Sequence, residues 1–220
     1  MASVVDTVNM NNEQRTSYRH GDLSAALVRA GVELAQSGGP QAVVLREATR
    51  RVGVSPNAAY RHFADHRALL RAVAAVAMSQ LAETMEGRQS AVSTRIRPPR
   101  RARERLRAVG AGYLDYARAE PGLFRTAFTM ADELDDALAV GPFGRTPFQL
   151  LSDALDGLVE VGLLSPRRRP DAELLAWSSV HGLAMLLIEG PLQQLDEAHT
   201  RQVCDQLLDH IEAGLLSQPA

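Results

Sequence analysis

Residues 45–70 read LREATRRVGVSPNAAYRHFADHRALL. Apolar spacing predicts a short helix from Leu45 to Val52 that stops at Gly53, and the chain turns at Val54-Ser55. Ser55 is a natural N-cap and Pro56 suits the first helical position, where a missing N–H costs nothing. The second helix is predicted from Pro56 to His62, and Asp65 caps the one after it. Two short helices joined by a glycine-punctuated turn form a helix-turn-helix, whose second helix enters the major groove of DNA. Ala58 and Ala59 are small enough for close approach to the groove wall. Asn57 and Arg61 carry the donors and acceptors that read adenine and guanine edges. Ser55, Tyr60 and His62 can reach phosphate oxygens, and Arg46 is a further DNA-binding candidate. The alternative is a structural helical corner that happens to expose a tyrosine and an arginine.

Charge is distributed in keeping with the first reading. Residues 15–71 hold nine arginines against four acids, whereas residues 108–220 hold seven arginines against seventeen acids. The formal net charge is only -2, so the whole chain is not a general polyanion binder. A basic head on an acidic body points to a nucleic-acid reader joined to a domain of another kind. All 24 basic residues are arginine.

Other classes lose support from composition. Cys204 is the single cysteine, which excludes an intrachain disulfide and a cysteine zinc cluster. The six histidines are scattered with no pair at metal spacing on one helix, so no metal or cofactor is expected. Gly110-Ala111-Gly112 sits inside a helical stripe and follows no strand, so it is no dinucleotide loop. No nucleophile–base pair stands out, and an enzyme is not expected. MASVVDTVNMNNEQ at the N-terminus has no basic start and no apolar run, so it is no signal peptide, and a cytoplasmic protein is expected.

Along the rest of the chain the apolar spacing is helical, and we read an all-α protein of roughly nine helices with no strand. Residues 1–16 are polar and read as a disordered tail. The DNA-binding unit is placed at 17–66 and a ligand-binding and dimerisation body at 67–220. Asp22 is the expected N-cap of the first helix. Residues 87–101, GRQSAVSTRIRPPRR, read as a solvated loop, residues 132–147 as irregular, and Arg167-Arg168-Arg169-Pro170 as a solvated turn. The run 172–189 carries no charge between Glu173 and Glu189, which predicts a helix buried on all sides, against a second subunit as well as the core. The last helix places Val203, Leu207, Ile211 and Leu215 on one face, with Asp205, Asp209 and Glu212 opposite. The last two helices are therefore expected to pair with their copies in a homodimer.

The head carries residues that resemble a known family. Tyr18-Arg19-His20-Gly21-Asp22-Leu23, Val52-Gly53-Val54-Ser55, Ala59-Tyr60-Arg61-His62-Phe63-Ala64-Asp65 and Leu69-Leu70 are similar to the DNA-binding head of the TetR (tetracycline-repressor) family. The resemblance implies an all-helical homodimer that binds double-stranded operator DNA and usually represses transcription until a small molecule binds. It also implies that Ser55, Asn57, Ala58, Tyr60, Arg61 and His62 contact DNA, and that Phe63 packs the recognition helix. One departure is His66, where the family often places a phosphate-touching lysine. An imidazole is the weaker anchor.

In the body, Trp177 with His181-Gly182, preceded by Pro121-Gly122-Leu123-Phe124 and Phe128, resembles the Trp-His-Gly C-terminal subclass of that family. Candidate ligand-binding residues are Tyr113, Tyr116, Phe124, Phe128, Trp177, Ser179 and His181. Each is also compatible with simple core packing. Few cations lie inside these helices, so a small hydrophobic effector is expected rather than a polyanion. Two alternatives remain open: an activator on the same scaffold, and a helical small-molecule-binding protein without specific DNA binding.

Overall fold

The computed structural model of the protein describes residues 23–130 and 140–216. The expected tail at 1–16, Tyr18 to Asp22 with its capping role, and residues 132–139 of the stretch expected to be irregular at 132–147 lie outside the described residues. Those described form nine α-helices and no strand. They are α1 (23–38), α2 (Leu45–Val52), α3 (Pro56–Ala59), α4 (His66–Ser90), α5 (Pro98–Ala119), α6 (Pro121–Thr129), α7 (Pro147–Glu160), α8 (Arg169–Ile188) and α9 (Glu197–Leu216).

The head is built from α1 to α3 and the first turns of α4. Leu27, Leu34, Val43, Leu45 and Ala48 are buried together with Leu69 and Val73. A Cβ on Gly31 would fall 2.6 Å from Val73 Cγ2, so the glycine sets how closely α1 lies on α4. The turn between α2 and α3 forms as the sequence predicts. Gly53 adopts φ 76°, a left-handed conformation that glycine takes without steric cost, and both Gly53 N–H and Val54 N–H donate to the Thr49 carbonyl. Ser55 Oγ accepts from Ala58 N–H at 3.4 Å and Asp65 Oδ1 accepts from Ala68 N–H at 2.8 Å. These caps satisfy helix N-terminal donors that otherwise lack partners.

At 25 residues α4 is about 37 Å long and runs from the head into the body, where it packs on α5, α6 and α7. The Gly-Ala-Gly of α5 is a crossing device. A Cβ on Gly112 would strike Met85 Cα at 2.7 Å, and one on Gly110 would strike Leu208 Cδ2 at 2.5 Å. The missing side chains thus let α4 and α9 close on α5. At the other end, a Cβ on Gly122 would meet the Ala35 carbonyl oxygen at 2.1 Å. Here α6 rests on the backbone of α1, and Gln36 Nε2 donates to Glu120 Oε2 beside it at 3.1 Å.

Several expectations need correction. The recognition helix is shorter than Pro56–His62: regular helix ends at Ala59 and residues 60–62 form a turn, because Phe63 must swing into the core. The break at 87–101 shrinks to residues 91–97, since α4 continues to Ser90 and the paired prolines occupy the first turn of α5. There the fixed φ of proline favours the helix start. The Arg167–Pro170 run is no free solvated turn. Arg169 begins α8, pairs with Asp156 at 2.6 Å and Glu173 at 2.9 Å, and donates to Ser152 Oγ. Arg168 donates to the Gly214 and Leu215 carbonyls, which satisfies open acceptors at the C-terminus of α9.

Within one chain, α8 is not buried on all sides. Leu174 and Leu175 are 65% and 60% exposed and Leu186 is 44% exposed. By length and composition α8 would pass for a membrane span, with only a third of its apolar window buried. The expected stripe of α9 packs partly inward, with Leu215 buried and Val203, Leu207 and Ile211 half-buried. Val203, Leu207, Ile211 and Leu215 lie against the chain's own core. Nor are the acids opposite them free: Arg107 binds Asp205 at 2.8 Å and also pairs with Asp209, while Arg103 holds Glu212 at 3.2 Å.

Candidate functional site

Two regions gather the candidate residues. The first is the surface of α2, α3 and the start of α4. Arg46, Ser55, Asn57, Tyr60, Arg61 and His66 are exposed, and Ala58 and His62 are partly so. Ala59 at 0% and Phe63 at 7% exposure turn the other way and fix α3 to the core. One short helix therefore anchors itself through Ala59 and presents Asn57, Tyr60 and Arg61 outward. Tyr60 is a large ring left 56% exposed, a position that nothing in the core requires.

The arginines divide into two sets. Arg50 is bound to Glu47 through two hydrogen bonds, at 2.9 and 2.6 Å, and Arg51 pairs with Glu33 and Glu47. The hydrogen bond from Arg50 lowers the Glu47 pKa. These cations are internally compensated. Arg46 and Arg61 make no ion pair among the described residues. They are the head's available cations on this face, with donors that match phosphate oxygens or a guanine edge.

The second region is a cavity of about 190 Å³ in the body, enclosed by α4, α5, α6, α7, α8 and α9. Met78, Met85, Leu151, Val180 and Leu208 give it an apolar lining, and Arg107, Glu212 and Thr146 supply polar groups. Phe148 and Trp177 also line it and are themselves part-exposed at 51% and 36%, so the cavity reaches the surface beside them. The charges on its wall are balanced within the protein, since Arg107 is held by two aspartates and Glu212 by Arg103.

Of the ligand candidates, Tyr113, Phe128 and Trp177 lie on the cavity wall. Phe124 is fully buried behind them, with its ring edge-on to Tyr113 at 5.3 Å and 5.0 Å from Phe128. His181 stands behind the wall too, 4.8 Å from the Phe128 ring. Tyr116 is directed elsewhere and donates to Gln80 Oε1 at 3.3 Å. Ser179 donates to the Leu175 carbonyl on its own helix.

Three of these residues share a hydrogen-bond chain. Trp177 Nε1 donates to the Tyr113 hydroxyl at 3.3 Å, and that hydroxyl lies 2.7 Å from His181 Nδ1. Burial raises the Tyr113 pKa and lowers that of His181. Both shifts favour the uncharged forms, phenol and neutral imidazole.

Sequence spacing did not disclose the contributions of α7 and α9 to the cavity, nor Met78 and Met85 of α4. Methionines and leucines look the same on a core face and on a cavity wall. The one signal available was Gly110, whose missing side chain lets Leu208 of α9 close on α5 at the cavity wall.

Comparison with known proteins places both regions. Residues 27–73 match the family described as bacterial regulatory proteins, tetR family. Residues 106–211 match the family described as tetracyclin repressor-like, C-terminal domain, a description that does not name the Trp-His-Gly subclass. No curated protein matches the sequence significantly. Among solved structures, a protein of unknown function from Rhodococcus sp. RHA1 is 23% identical with a TM-score of 0.70, covering 89% of this chain and 96% of that one. A TetR family transcription regulator from Marinobacter aquaeolei VT8 is 20% identical with a TM-score of 0.59, covering 88% and 97%. A TetR-family transcriptional regulator from Pectobacterium atrosepticum is also 20% identical, with a TM-score of 0.58 and coverage of 92% and 98%. These likenesses establish a shared all-helical fold.

Proposed function

Because the chain belongs to the tetR family of bacterial regulatory proteins and is a DNA-binding transcriptional regulator, we propose that it is a cytoplasmic homodimeric repressor, released from its operator by a small hydrophobic effector. Regulators of this family are generally not enzymes, and no catalytic role is assigned to any residue. The observation that carries the reading is the outward face of α3 and the turn after it, where Asn57, Tyr60 and Arg61 stand exposed, together with an exposed Arg46 that makes no ion pair among the described residues. In this reading Asn57 and Arg61 read base edges. Arg46, Ser55, Tyr60, His62 and His66 hold the backbone, and Ala58 permits close approach. The head spans residues 17–66, with the first turns of α4 completing its core, and the body spans 67–220.

Dimerisation is assigned to α8 together with the outer side of α9. Leu174, Leu175 and Leu186 give one chain an apolar face of the kind that soluble monomers rarely leave open. Ser178 and Gly182 lie between them on the exposed side of the helix. Small residues there allow two copies of α8 to approach closely. A two-fold axis through this contact would present two heads to a pseudo-palindromic operator.

The cavity supplies the control. An apolar cavity of roughly 150 Å³ is enough for benzene, so about 190 Å³ suits a one- or two-ring molecule. A polyanion is disfavoured because Arg107 is already neutralised by its aspartates. A ligand against Phe128 presses on α6, and α6 rests on α1 through Gly122 and Ala35. A shift of α6 is therefore transmitted to the head. Release requires that the ligand bind the displaced state more tightly than the DNA-bound one.

The test is a screen of one- and two-ring apolar compounds by thermal shift and Trp177 fluorescence, followed by release of the protein from its operator. Ligands that stabilise the protein, change Trp177 emission and free the DNA support the reading. Stabilising ligands that leave operator affinity untouched contradict it.

A further inference from the structure

Tyr113 gives the cavity a polarity that composition alone does not reveal. A phenol has one proton to donate and two lone pairs to accept with. Trp177 Nε1, a pure donor, fills one lone pair at 3.3 Å. The short contact to His181 Nδ1 at 2.7 Å has two possible senses. Either Tyr113 donates to Nδ1, or a protonated Nδ1 donates to Tyr113.

The surroundings decide between them. If Nδ1 donated, the Tyr113 proton would have no acceptor among the described residues, because the hydroxyl's partners there are Trp177 Nε1 and His181 Nδ1, and an unmet buried donor is costly. If Tyr113 donates, its proton is satisfied and the single N–H of the neutral imidazole sits on Nε2. His181 is only partly buried, and Nε2 is not among the buried side-chain atoms that lack a hydrogen-bond partner. That N–H therefore reaches accessible surface, where water satisfies it. The first arrangement leaves every donor of the chain met and one Tyr113 lone pair spare.

Building on the effector reading above, we infer that Tyr113 acts in the cavity as a hydrogen-bond acceptor whose own proton is committed to His181, so that the site selects apolar ring compounds carrying an N–H or O–H donor over isosteres that carry only an acceptor. Tyr113 is the specificity-determining residue, and His181 is a positioning residue that acts through it. Phe124 and Phe128 pack against both rings and hold the pair in register.

Indole and benzofuran test this directly. They share shape and size, but indole offers an N–H where benzofuran offers a ring oxygen. Their affinities for the full-length protein are measured by calorimetry at millimolar ligand. The indole preference of the wild type is expected to exceed that of Tyr113→Phe by about fivefold, the scale of one net hydrogen bond. In His181→Phe the Tyr113 proton is freed toward the cavity, and the preference should fall below that of Tyr113→Phe. Thermal unfolding confirms that each variant is folded, and the wild-type measurement needs no variant. Binding of both compounds with a ratio that Tyr113→Phe leaves unchanged overturns the inference alone. Failure of both compounds to bind the wild type overturns the effector reading and this inference together.

Discussion

Arg61 and Tyr60 are neighbours with different expected tasks. Arg61 is exposed and makes no ion pair among the described residues, so its donors are free for a base edge. Arg61→Ala should weaken operator binding by about 1–3 kcal/mol and relax specificity at one position in each half-site. Tyr60→Phe should weaken binding to all sequences alike, because a phosphate contact carries no sequence information. Titration against operators varied one base pair at a time separates the two outcomes. Loss of Arg61 that weakens every sequence equally would move it to the phosphate backbone. The turn, the cap and the exposed residues around α3 were legible in the sequence because they all lie within one short segment. The Trp177–Tyr113–His181 chain was not. Its members come from α5 and α8, and only the packing of those helices brings Tyr113 to residues 64 and 68 positions away.

Helix ends follow the same logic. The Ser55 and Asp65 caps were readable because a cap acts within three residues of itself. The Arg-rich stretches were misjudged, since their partners are distant in sequence: Arg168 reaches α9, and Arg169 reaches α7. One such partnership controls how α7 is joined to α4. Glu86 is 2% exposed on α4, lies 3.6 Å from Arg145 Nε, and accepts from Phe143 N–H at 3.3 Å. Ser79 donates to the Val140 carbonyl at 2.6 Å, so residues 140–146 are strapped along α4 before α7 begins at the cavity wall. Arg145→Met should destabilise the fold by about 3 kcal/mol, because it strands the buried Glu86 carboxylate. Asp153→Asn removes only the exposed partner of Arg145 and should cost under about 1 kcal/mol. Chemical denaturation of both variants tests the contrast. Equal costs would mean that Glu86 is not held by Arg145.

For the molecule as a whole, the all-helical class was plain from periodicity, and the charge contrast between residues 15–71 and 108–220 is read directly from the sequence. Which helix leaves an apolar face open was only half legible. A charge-free helix signals burial, but the apolar stripe of α9 looked alike whether it met its own core or a second subunit. The structure packs that stripe partly against the chain's own core and leaves α8 with the more open apolar face. Nothing lies within 4 Å of a Cβ placed on Gly182, so Gly182→Leu should leave the single chain stable while blocking close approach of a second α8. Sedimentation should show the variant dissociating at concentrations where the wild type is dimeric. A variant that remains an equally tight dimer would place the interface elsewhere. The central claim is that two such heads, related by two-fold symmetry, read operator DNA through α3. Footprinting of the wild type and of Arg61→Ala on the DNA upstream of the protein's own gene tests it most directly. The account predicts a protected site with dyad symmetry that fades in Arg61→Ala, whereas a footprint without a dyad, or one indifferent to Arg61, would contradict it.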